Sequence, residues 1–238
     1  ARAAKKAGRV LTVYQPHRVS AWFQHIKKIV DSGRIGAVYH VRVGLFNYAR
    51  RDDWQSLRKF GGGMLNNYGA HALDLALQLT GPDVKKVFCT LRRVATLGDA
   101  EDVVKVVYET RGGVVGEADI NQACALPPYE FEVYGTCGAV AKHKGQLTVR
   151  WFDPKKLAAK PLNRGLASAN RQYPKDEIPW QEETVDVDAG MAVDFYADFA
   201  RAIRTGRRCV ADPSETLAVV RLMQACRDAS GRIVSTKL

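Results

Sequence analysis

The 238-residue sequence predicts an α+β fold, an open and mainly antiparallel β-sheet with its helices on one face, preceded by a short βα unit. Two observations carry that prediction. Short alternating segments follow one another from 84 to 152 with glycine turns between several of them. The helical patterns are grouped before and after this run, whereas a doubly wound fold would interleave them throughout. Composition agrees: 46% hydrophobic residues are ample for a core, and the length suits one large domain.

In chain order, residues 1–8 read as the end of a helix and 9–14, "RVLTVY", as a short buried strand. Residues 19–32 form an amphipathic helix, with Trp22, Ile26, Ile29 and Val30 at helical spacing and Gly33 as the stop. Residues 37–46 alternate as a strand, and a loop spans 47–63. A long helix runs from Met64 to Gly81. Six strand patterns follow, with "TRGGV" as a hairpin turn. Residues 153–189, rich in Pro, Lys and Asn, show no period and read as a long excursion. The helix in "MAVDFYADFARAIRTG" ends at Gly206. The last has Asp212 as N-cap, Pro213 at its first position and Gly231 beyond its end; "RIVST" closes as a strand.

Charge, cysteines and hydropathy narrow the function classes. Thirty-six Lys and Arg against 25 Asp and Glu leave a formal charge of +11. These residues are scattered, which favours a solvated basic surface, or the steering of an anionic ligand, over a nucleic-acid partner. No apolar run approaches the roughly 20 residues needed to cross a bilayer, so no membrane partner is expected. The five cysteines (Cys89, Cys124, Cys137, Cys209, Cys226) contain no C-x-x-C. That argues against a disulfide framework or a zinc site and favours a reducing, cytoplasmic compartment. The start lacks the apolar core of a signal peptide, has no initiator Met and begins in mid-helix; a fragment is expected, with any upstream export signal outside it.

"GGGMLNNYGAHALDLALQLTG", Gly61–Gly81, carries the chemistry. On a helix from Met64, Leu65, Tyr68, Ala72, Leu75 and Leu79 share one face; Asn67, His71, Asp74 and Gln78 share another. Asn67 and His71 stand at i and i+4, so their side chains are expected to meet near the positive helix end. The glycines would let backbone N–H groups approach a ligand. A histidine here can take the proton of a hydroxyl while a hydride leaves the same carbon, and a neighbouring amide can hold hydroxyl and imidazole in register. The helix start would help keep the base neutral. The plainer reading is a turn-forming glycine run and a histidine satisfying a buried hydrogen bond.

This stretch resembles the signature helix of the Gfo/Idh/MocA oxidoreductases, G-G-G-x-L-x-D-x-G-x-H-x-x-D. "FQHIKKIVDSGRIGAVYHVRVG", "EDVVKVVYETRGGVVGEADIN", "YEFEVYGTCGAVA" and the closing helices resemble the family's segments in the same order. The resemblance implies that residues 1–17 are the remnant of a Rossmann dinucleotide-binding domain. It implies that 18–238 are the C-terminal substrate-binding and oligomerisation domain. It implies NAD or NADP in the full-length protein and none bound by this chain, because G-x-G-x-x-G and the family's E-K-P motif are absent. It assigns His71 and Asn67 as catalytic, with Asn67 standing where the family has Asp. Arg18 matches an arginine near the family's cleft and would contact substrate; the alternative is a helix-start salt bridge. Tyr48 and Trp54 fall in a loop that lines the family's sugar site, where an aromatic face suits pyranose C–H groups; the alternative is a loop anchor.

The expected function is the substrate-binding part of an NAD(P)-dependent oxidoreductase of a sugar, polyol or related hydroxyl compound. A non-catalytic carbohydrate-binding or assembly domain of the same family is the alternative. Relatives pair through a bare sheet face, so a homo-oligomer is expected, supported by Val and Tyr on both faces of "VVKVVYE" and "FEVYG". His17 reads as a surface residue; His25, His40 and His143 lack partner spacing, and no metal site is visible.

Overall fold

The computed structural model describes residues 1–167, 169, 173 and 176–236. Nine strands form one sheet: β1 Val38–Phe46, β2 Val84–Arg93, β3 Val103–Thr110, β4 Val115–Asn121, β5 Phe131–Gly135, β6 Gly138–His143, β7 Gln146–Trp151, β8 Gln181–Val185 and β9 Val234–Ser235. Their spatial order is β8-β7-β6-β5-β1-β4-β3-β2-β9. All pairings are antiparallel except β1 with β4 and β2 with β9. The β3–β4 hairpin closes at "TRGGV", where Gly113 takes φ +82°. The segment read as a structureless excursion thus contributes an edge strand, β8, whose side chains are mostly exposed and leave no apolar period to read.

Alternation sorts the strands into a core face and an open face. Val41 and Val43 of β1, Val104, Val106 and Tyr108 of β3, Ala118 and Ile120 of β4, Phe131 and Val133 of β5 and Val140 of β6 are buried beneath the helices. Helix α2, Ala21–Asp31, sets Phe23 and Trp22 edge-on against Phe131. Helix α3, Ala70–Thr80, packs on β1 and β4, and α5, Pro213–Ser230, packs on β2. Asp212 caps α5 by accepting from Ser214 N–H. Helix α4, Phe195–Thr205, begins later than its pattern suggests because Asp194 caps it, accepting from Ala197 N–H at 3.0 Å; Gly206 ends it at φ +69°. It joins a small separate cluster of Val19, Phe195 and Ala211.

The open face is charged. Arg42 reaches Glu132 at 2.8 Å and Glu117 at 3.5 Å, Lys105 pairs with Glu117 and, at 3.1 Å, with Asp119, and His40 stands 3.5 Å from Glu117. Val103, Val107 and Val115 sit half-buried among these groups. The valines that suggested an apolar second face are therefore divided, half in the core and half beneath an ion-pair lattice.

Residues 9–14 are not a strand. A strand must satisfy its backbone through a neighbour, and no described strand lies beside this segment. Val10, Leu11, Val13 and Tyr14 are instead exposed. Before them comes only the five-residue helix α1, Arg2–Lys6. No described helix is long and apolar enough to cross a membrane.

Candidate functional site

The helix from Met64 opens wide. Leu65–Gly69 form a π-helical turn, in which Gly69 N–H reaches Met64 C=O at 2.8 Å, and regular α-helix begins only at Ala70. Such turns insert one residue into the helical register and are concentrated at functional sites. The N–H groups of the preceding glycines serve this local geometry. Gly61, Gly62 and Gly63 N–H donate to Arg58, Leu57 and Gln55 C=O. Met64 N–H donates to Glu101 C=O at 3.0 Å and Leu65 N–H to the Glu101 carboxylate at 3.1 Å. Gly63 lies at φ +109°, and a Cβ there would overlap that carboxylate. The expected approach of free N–H groups to a ligand is replaced by a helix start already capped by Glu101. Burial pushes the Glu101 carboxyl up, while the backbone donors pull it back.

Asn67 and His71 border the same cleft without hydrogen-bonding each other. Asn67 Nδ2 donates to Gln55 Oε1 at 3.0 Å, and His71 Nδ1 lies 3.1 Å from Gln15 Oε1. The cleft measures about 360 Å³ and is lined also by Tyr14, Trp54 and the three glycines. Four amide side chains line it: Gln15, Gln55, Asn66 and Asn67. Trp54, 57% exposed, stands at the mouth on a 3₁₀ turn capped by Asp53. On its other side His71 borders a second cavity of about 520 Å³, walled by Trp22, Phe46, Tyr129 and Phe131 and edged by Lys142, which pairs with Glu130. A larger groove of about 1010 Å³ runs between α3 and α5 away from His71, and two of its acids, Asp74 and Glu215, are bound by Arg18.

His71 sits below the usual histidine range because burial disfavours its charge, partly offset by Asp74. Burial thus acts in the direction that favours the neutral ring. His17 also lies below that range, through burial and then the neighbouring His71. Far from being a surface residue, it is half-buried, with its ring edge-on to His71 at 5.1 Å between centroids.

Arg18 is no substrate contact. It is 2% exposed, and its Nε donates to Asp74 Oδ2 at 3.0 Å while a terminal nitrogen binds Asp74 Oδ1. The other terminal nitrogen binds Glu215 and, at 3.0 Å, Val210 C=O. Burial opposes its charge, but the two carboxylates raise its pKa further. Asp74 is correspondingly buried and leaves the polar face on which sequence periodicity placed it. Tyr48, half-exposed and bridged to Ala123, lines neither cavity beside His71. His25 Nε2 accepts Asp188 N–H at 3.0 Å. All five cysteines are free, and no group of three or more metal-binding side chains occurs among the described residues.

Sequence reasoning missed Gln15, Gln55 and Glu101. Gln15 and Gln55 carry no pattern; Glu101, opening "EDVVKVV", offered only its place before a strand.

Comparison with known proteins gives the same picture. The profile of the GFO/IDH/MocA C-terminal domain matches residues 23–141. An uncharacterized oxidoreductase of Schizosaccharomyces pombe is 23% identical over 268 residues, covering 99% of this chain and 69% of its own length. An NAD-binding protein from Listeria innocua superposes with a TM-score of 0.76 at 21% identity, over 97% of this chain and 67% of that one. An oxidoreductase from Agrobacterium radiobacter, in complex with NAD⁺, L-tartaric acid and magnesium, does so with 0.70 at 16%, over 97% and 66%. The chain thus spans about two thirds of the length of these relatives. With the matching profile covering half of its residues, the chain belongs to the GFO/IDH/MocA oxidoreductase family.

Proposed function

We propose that this chain is the substrate side of an NAD(P)-dependent oxidoreductase acting on a sugar, polyol or related hydroxyl compound. The observation that carries the reading is the half-buried His71, its pKa lowered by burial, standing in a cleft lined by side-chain amides with an exposed tryptophan at its mouth. Amides donate and accept at once, so they suit a ligand of uncharged hydroxyls, and an indole face suits its C–H groups. His71 would take the hydroxyl proton as general base. Asn67, though not hydrogen-bonded to the imidazole, faces the same space and would hold the hydroxyl.

NAD or NADP would accept the hydride from the carbon being oxidised. The residues here do not fit its pyrophosphate, because the N–H groups of Gly61–Leu65 are already donated within the chain. The nucleotide would be held elsewhere in the full-length protein, which would sit in the cytoplasm. A homo-oligomer through the open sheet face extends the proposal: half-buried charges with mutual partners can be covered without leaving any unpaired.

The test is nicotinamide absorbance during turnover of a panel of sugars and polyols by the full-length protein. Oxidation of at least one, lost in His71→Ala, is expected. Tight polyol binding with no reduction of either nucleotide would favour the non-catalytic carbohydrate-binding reading.

A further inference from the structure

Residues 15–18, Gln-Pro-His-Arg, contact α3 over one helical turn. Gln15 Oε1 meets His71 Nδ1, the His17 ring packs on the His71 ring, and Arg18 clamps Asp74 three residues further on. The segment is itself closed by Arg18 N–H donating to Gln15 C=O at 3.1 Å. Arg18, buried and bonded to two acids, fixes the distance between this turn and the helix. Gln15, 5% exposed, is thereby held against the imidazole.

We propose that Gln15 is a positioning residue that sets the tautomer of His71, holding the proton on Nδ1 and leaving Nε2 as the basic atom. The amide turns its oxygen, which only accepts, to the ring, and the contact at 3.1 Å is satisfied by Nδ1–H. Nε2 has no hydrogen-bond partner among the described residues, and it is not among the fully buried atoms left without one. It therefore opens toward the cavities that His71 borders. The inference rests on the reading of His71 as a base and adds which nitrogen acts and what selects it. Free neutral histidine prefers the proton on Nε2, so without Gln15 the wrong atom would face the hydroxyl. With it, the hydroxyl proton moves to Nε2 and the ring becomes an imidazolium. The Nδ1–H···O contact then strengthens as the positive charge appears. A neutral amide does this without holding the resting ring protonated, as a carboxylate would.

The decisive measurement is long-range ¹H–¹⁵N correlation on the 238-residue chain at a pH where the ring is neutral. The expected result is a proton on His71 Nδ1; a proton on Nε2 overturns the proposal. Gln15→Met should move the population toward Nε2–H, and Gln15→Glu, which keeps an acceptor, should restore Nδ1–H. An unchanged tautomer in Gln15→Met would also overturn it. The ring of Gln15→Glu should titrate at higher pH than that of the unsubstituted chain, against the same surroundings of His17, Arg18, Asp74 and the Lys142–Glu130 pair. In the full-length protein Gln15→Met should lower kcat about 10–100-fold, the usual scale for removing a group that orients a working histidine, with KM nearly unchanged. Should His71→Ala turn over normally while Nδ1–H is found, the base assignment falls and the tautomer contact stands. Should His71→Ala be inactive while Nε2–H is found, the reverse holds.

Discussion

Asp74 and His71 lie three residues apart on α3, and their environments differ in completeness. Asp74 spends both oxygens on Arg18 and is sealed from solvent. His71 spends one nitrogen on Gln15 and keeps the other. The open sheet face follows the pattern of Asp74, with Glu117 shared among Lys105, Arg42 and His40. Asp74 thus has its bonding capacity filled, whereas the candidate working group has one position unfilled beside a cavity. On this helix, an unfilled position that opens on a cavity separates the two groups better than burial or charge alone.

The contrast would break most visibly at His71. His71→Ala should reduce turnover of the full-length protein by about 10²–10⁴-fold, the range for a positioned acid or base. Its melting temperature should stay near that of the unsubstituted protein. Early melting with normal turnover of the folded fraction would make His71 as structural as Asp74. Asp74→Ala should do the converse. It leaves the buried Arg18 guanidinium with Glu215 and Val210 C=O only, and breaking such a buried pair costs about 3–5 kcal/mol. Urea unfolding of the chain would read this, and a loss below about 1 kcal/mol would show that the existing Glu215 pair suffices to hold Arg18.

Acid sharpens the same comparison. The folded pKa values of His71 and His17 are lowered from the ordinary 6.5. The unfolded chain therefore binds protons first as pH falls below that value, and the folded state loses stability on acidification. Stability should be level above neutrality and decline as pH drops through the ordinary histidine range. The double variant His17→Ala, His71→Ala should flatten that decline, and an unaltered slope in urea melts would assign it to other groups. Turnover should fall in the same direction, since protonated His71 is no base.

Two smaller effects address the helix start. Gly63→Ala combines a left-handed backbone with a collision against Glu101 and should destabilise by more than about 1 kcal/mol. A neutral outcome in thermal melts would mean that Glu101 moves aside at little cost. Asn67→Asp should change turnover only a few-fold, provided that Gln55 rotates its amide to donate to the new carboxylate.

How legible all this was depended on how local the cause was. Alternation in β1–β7 and the caps Asp212, Gly206 and Gly231 are written in a few adjacent residues, and the structure has them where the pattern puts them. The π turn was not legible in adjacent residues, and the carboxylate that receives Leu65 N–H, Glu101, lies 36 residues along the chain. Arg18 misled for the same reason: its position near a cleft is local information, and its acids are 56 and 197 residues away. Likewise 9–14 has a strand's composition, but composition cannot supply a neighbouring strand. His71 was readable from the helix pattern and the family resemblance; its partner Gln15 was not.

The topology of the sheet also constrains how the chain reaches this structure. β2–β3–β4 and β5–β6–β7 are local meanders that can zip from their own turns, but β1 lies between them, with Val43 opposite Ala118 on one side and Phe131 on the other. Its parallel edge cannot form from a hairpin and must wait until a distant segment arrives. Closing loops of that length before any contact rewards them slows folding. The helix that carries His71 lies over β1 and β4. Its seat is therefore completed only when the two meanders join, so the candidate site is expected to mature with the last cooperative step of folding.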